Sequence, residues 1–107
     1  MCTNIMERRP IIGSAREAGG SWFRVDTVNV GFDHPLHIPL EHALTIDFVS
    51  EAAGPGARVA VEMTRDSARQ LVDALTAALS RGADVEEGDA AAVLAPPRPR
   101  SSASSAR

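Results

Sequence analysis

Lysine and tyrosine are missing from this chain, cysteine occurs once, and aromatic residues make up only 4% of it. Each scarcity excludes something. With all eleven basic residues being arginine in an Ala- and Gly-rich sequence, the arginines read as coding bias rather than as phosphate clamps. One cysteine cannot form an internal disulfide, and that favours a reducing compartment. No run of about twenty apolar residues is present, so no membrane span is expected. Met1 to Arg9 contains no apolar stretch followed by a cleavage site, which argues against a secretory signal and for a cytoplasmic location. The net charge of −3 gives no electrostatic case for nucleic acid as a partner. Nor does Gly13 to Ser21, a small-residue loop, end in the Gly-Lys-Ser/Thr of a phosphate-binding loop.

What is present reads as one α+β domain over residues 1–82 followed by a disordered tail over 83–107. Asn4 to Ile12 can form a first strand, with Pro10 confining it to a sheet edge. Trp22 to His34 is a second strand whose apolar residues change phase. Phe23 and Val25 are odd-numbered, while Val28, Val30 and Phe32 are even-numbered, and this predicts a bulge near Asp26 and Thr27. Glu41 to Ser50 alternates as a third strand, and Gly54-Pro55-Gly56 must turn into a fourth over Arg58 to Met63. Thr64 suits a helix N-cap and Asp66 its first turn. Ala68, Leu71, Val72, Leu75, Ala78 and Leu79 then form an apolar stripe at helical spacing, and Gly82 is placed to end the helix. The expected fold is a four-stranded antiparallel sheet with this C-terminal helix packed on a face, Leu75 being buried there. The Ala-, Pro-, Arg- and Ser-rich remainder has too little apolar area to offset its ordering entropy. A core this small is marginal alone, so a homodimer or other homo-oligomer is expected.

All three histidines fall within Asp33-His34-Pro35-Leu36-His37-Ile38-Pro39-Leu40-Glu41-His42. Imidazole is the commonest neutral metal ligand and the usual acid or base near neutral pH. His34 continues the parity of Val28, Val30 and Phe32, and His42 shares that of Leu44, Ile46 and Phe48. A hairpin between the second and third strands therefore brings both to the same end and face of the sheet. His37 lies between Pro35 and Pro39, which stiffen the loop. Together, His34, His37 and His42 are candidate ligands for zinc, copper, nickel or iron, with Glu41 or Asp33 nearby. Their spacing matches no zinc signature. Cys2 is a second candidate. Removal of the initiator Met would expose an amine and a thiol on one residue, a chelating pair and a possible nucleophile with its own base.

The leading functional expectation is thus a small metal-binding protein, with or without enzymatic activity. One alternative is a non-enzymatic interaction module in which the histidines are structural: Asp-His-Pro is a good turn opener. Another is a cofactor-independent enzyme using His42 with Glu41 or Cys2.

Several short stretches resemble a family of small uncharacterised bacterial proteins, a domain of unknown function. They are Met1-Cys2-Thr3, Gly13-Ser14, Trp22-Phe23, Phe32-Asp33-His34-Pro35, His37, Glu41-His42, Ile46-Asp47-Phe48, Gly54 to Glu62, and Ser67-Ala68. The resemblance runs from Met1 to about Gly82. Where similar members carry Gly-Lys in the early loop, this chain has Arg16-Glu17. The resemblance implies no activity, substrate or cofactor.

Overall fold

The computed structural model describes residues 3–54 and 56–93, with side chains described as far as Glu86. Four strands and one helix follow in order: β1 (Met6–Ala15), β2 (Phe23–Asp33), β3 (Ala43–Val49), β4 (Arg58–Met63) and α1 (Arg65–Val93). The strands form one antiparallel sheet in the order β1-β2-β3-β4, so every neighbour in the sheet is a neighbour in sequence. The chain divides into two units, Met1–Gln70 and Leu71–Arg107.

Register separates the two faces of the sheet. Val28 pairs with Phe48, Val30 with Ile46 and Phe32 with Leu44; across the next interface Phe48 pairs with Val59, Ile46 with Val61 and Leu44 with Met63. Cross-strand partners project to the same side, so these nine side chains make one apolar face. Ile46 at its centre is buried. The opposite face carries Arg8, Asn29 and Asp47 in one cross-strand row. Exposed ion pairs join Arg8 to Glu51 at 2.8 Å and Arg58 to Asp47.

The phase change in β2 has a different origin from the one its sequence suggests. β2 is continuous through Asp26 and Thr27, and the register break lies in β1 between Pro10 and Gly13, opposite Val25 and Thr27. β3 pairs only with Thr27–Asp33, so the first residues of β2 have β1 alone as a ladder partner. There the buried residues are Val25 and Thr27, on the odd-numbered side. Asp26 stabilises this corner. Its carboxylate accepts the Glu51 N–H at 2.9 Å, the Thr27 hydroxyl at 2.9 Å and the Ala52 N–H at 3.3 Å.

Helix α1 starts as the sequence predicts: the Thr64 hydroxyl accepts the Ser67 N–H at 3.0 Å, an N-cap bond. Ala68 is buried. Gly82 does not end the helix, which runs on to Val93. Glycine costs a helix interior about 1 kcal/mol. It becomes a stop only when the backbone turns left-handed, and among the described glycines only Gly19 and Gly54 have positive φ. Ala83 to Glu87 are mostly compatible with helix, so propagation continues. Of the expected tail, Ala83–Val93 is helical, and residues 94–107 lie outside the described residues. The stripe is also more open than expected, with Leu75 54% and Leu79 73% exposed.

Candidate functional site

The site is built where β2 and β3 run out. Asp33 and Ala43 form the last ladder pair. His34 and His42 are the next residue on each strand, and alternation carries both to the apolar face beside Phe32. Their rings lie 5.1 Å apart, centroid to centroid, with planes 28° from parallel. His42 stacks in turn on Phe32, with centroids 6.0 Å apart. His42 is half-buried and His34 exposed, so the outer ring of the row faces solvent. The sequence-based pairing of these two histidines is what the hairpin produces.

Asp33 organises the backbone beneath them. Its carboxylate accepts the His34 N–H at 2.7 Å and the Thr3 N–H at 3.4 Å. The His34 N–H above all holds this carboxyl below the ordinary aspartate range; the Thr3 N–H and the nearby His34 and His42 add to it, against the effect of partial desolvation. Thr3 is doubly tied, because its hydroxyl donates to the Phe32 carbonyl and accepts the Ile5 N–H at 3.1 Å. Asn4 between them has φ 59°, the left-handed region that asparagine tolerates better than most residues. Thr3, the first described residue, is thereby tied to the strand end that carries His34. Cys2, the residue before Thr3, lies outside the described residues.

Gly31 makes this approach feasible. A Cβ built there would stand 3.1 Å from the Ile5 carbonyl oxygen and 3.2 Å from the Thr45 hydroxyl. Any side chain at this position would press on the segment that carries Thr3.

His37 goes elsewhere. The loop after His34 folds toward β4, where Glu62 accepts three consecutive backbone N–H groups: Leu36, His37 at 3.0 Å and Ile38 at 3.0 Å. These donors, Ile38 first and then Leu36, hold the Glu62 carboxyl below its ordinary range; partial burial opposes them, and His37 contributes through both its N–H and its ring. Glu62 pairs with Thr45 and so belongs to the polar face. His37, Leu36, Ile38, Ala60 and Glu62 line a depression of about 440 Å³ there. Among the described residues, no group of three or more His, Cys, Asp or Glu side chains is placed to hold one ion. The sequence therefore locates two of its three histidines together. Glu41, next to His42, is exposed. Sequence reasoning missed Glu62. Its only signal was an acidic residue at an alternating position of an edge strand, which ordinarily marks a solvated face.

No helix among the described residues is long and apolar enough to cross a membrane. No curated protein and no solved structure matches the chain. A family model does, over residues 1–91, which takes in the whole sheet, the histidine loop and all but the last two residues of α1. The chain belongs to a family of unknown function, DUF6295.

Proposed function

We infer that this chain is a small metal-binding protein in which His34 and His42 supply two ligands to a divalent transition metal: zinc, copper, nickel or iron. The ring separation carries the reading. An imidazole nitrogen bound at about 2.1 Å puts the ring centre roughly 3.2 Å from the ion, and two such rings at the tetrahedral angle stand about 5.2 Å apart. The observed 5.1 Å is of this size; the two rings are stacked face to face, so binding would require each to turn an edge nitrogen toward the shared ion. Two imidazoles leave positions open. His37 reaches them only if its loop leaves Glu62, and Cys2, the chelating candidate of the sequence, lies outside the described residues. A thiolate at Cys2 would strengthen zinc or copper binding over that of imidazole alone.

A second reading is favoured by the stack of Phe32, His42 and His34. Here the histidines seal the end of the apolar face, and the domain is a non-enzymatic interaction module. Elemental analysis of untagged protein, followed by calorimetric titration with zinc and nickel, separates the two. Metal near one equivalent per chain, lost in a His34→Ala, His42→Ala double variant, supports the first. Protein that stays metal-free and gives no heat with either ion supports the second.

A further inference from the structure

We propose that the exposed stripe of α1 is the contact surface for a second copy of this chain, and that the two helices run parallel. Five large apolar side chains of this helix stand open: Leu71 at 36%, Val72 at 57%, Leu75 at 54%, Leu79 at 73% and Val85 at 62%. Their spacing is a heptad. Leu75 and Gly82 occupy one seam position, Leu71, Ala78 and Val85 the other, and Val72 and Leu79 widen the seam on one flank. A helix with this pattern is marginal alone in water and gains most of its stability by covering the stripe. Small residues at Ala78 and Gly82 let a second backbone approach closely.

Charge beside the seam selects the partner and its direction. Arg81 flanks the seam on one side and Glu86 on the other, five residues further along. In a parallel pair of identical helices these flanking positions face each other across the seam, so Arg81 of each copy meets Glu86 of the other, twice per dimer. An antiparallel pair places each flank against its own kind, and Arg81 then finds no carboxylate between Leu71 and Glu86. The surface is self-complementary in one orientation, which is what association of two copies about a two-fold axis requires.

The test uses the full chain in sedimentation equilibrium. The wild type should be dimeric, and Leu75→Asp or Leu79→Asp should raise the dissociation constant by roughly a hundredfold or more, since either buries an unpaired charge in the seam. Backbone NMR spectra of the strands should stay unchanged in both variants, which distinguishes lost association from lost folding. Arg81→Glu and Glu86→Arg should each weaken the dimer by roughly three- to tenfold, and the double variant should restore it. A monomer throughout the concentration series would overturn the proposal, including one whose Leu75 is protected by its own sheet. So would a dimer indifferent to Leu75→Asp. Rescue of Glu86→Arg by Arg65→Glu instead of Arg81→Glu would overturn the parallel arrangement in favour of an antiparallel one.

Discussion

His34 and His42 lie at opposite ends of a proline-braced loop, yet their rings stand 5.1 Å apart because each is the first residue beyond the final Asp33–Ala43 ladder pair. The hairpin, rather than any local motif, creates the site. Predictions about the site therefore begin with the backbone that holds it.

Ile46 is the buried centre of the apolar face, flanked by Val30 and Val61. Replacing it with Ala should cost about 2–4 kcal/mol through lost transfer energy and the cavity left behind. Urea denaturation measures this directly. A loss under about 0.5 kcal/mol would mean that this face contributes little to folding.

Gly31→Ala tests the close approach of Ile5. The new Cβ would meet the Ile5 carbonyl and the Thr45 hydroxyl at 3.1 and 3.2 Å, and backbone cannot yield as a flexible side chain does. We expect a destabilisation of about 1–3 kcal/mol. Chemical-shift changes should spread through Thr3 to Ile5 and reach His34. Unchanged shifts in that segment would show that the N-terminal residues are held by other means.

Glu62→Gln removes the charge that gathers the three N–H groups of the loop. Amide exchange at Leu36, His37 and Ile38 should accelerate in this variant, while exchange in β2 and β3 stays as it was. Equal protection in variant and wild type would show that the prolines alone hold the loop.

Acid should release the same contacts. Asp33 and Glu62 both have carboxyl groups held below their ordinary range by backbone N–H donors, led by His34 and Ile38 respectively. A carboxyl depressed by folding contributes stability that is fully present above its unfolded range and is lost as pH falls through its folded one. Stability should therefore decline below the normal carboxylate range, and less steeply in Glu62→Gln. A pH profile of unfolding that is identical for the two proteins would contradict this role for Glu62.

Alternation made much of the fold legible. β4 occupies the expected residues, Thr64 caps the helix, and the shared parity of His34 and His42 placed them on one face. What escaped the sequence depended on partners distant in the chain. The change of phase in β2 suggested a bulge there, although β2 is continuous and the one extra residue is in β1, between Pro10 and Gly13. Gly82 is a helix stop only in a conformation that composition does not dictate. His37 looked equivalent to its neighbours, but its N–H is drawn to Glu62, twenty-five positions away. No local pattern announces such a contact, because an exposed-looking glutamate on an edge strand reads the same whether it is solvated or clamped.

The central claim is that His34 and His42 share an ion, and the most direct measurement follows the ring nitrogens of all three histidines by ¹H–¹⁵N correlation during zinc titration of untagged protein at neutral pH. The account predicts that one nitrogen on each of His34 and His42 shifts together and saturates near one equivalent. The effect should disappear at acid pH, where protons compete for those nitrogens. Ring nitrogens of His34 and His42 that stay unmoved by excess zinc would contradict it.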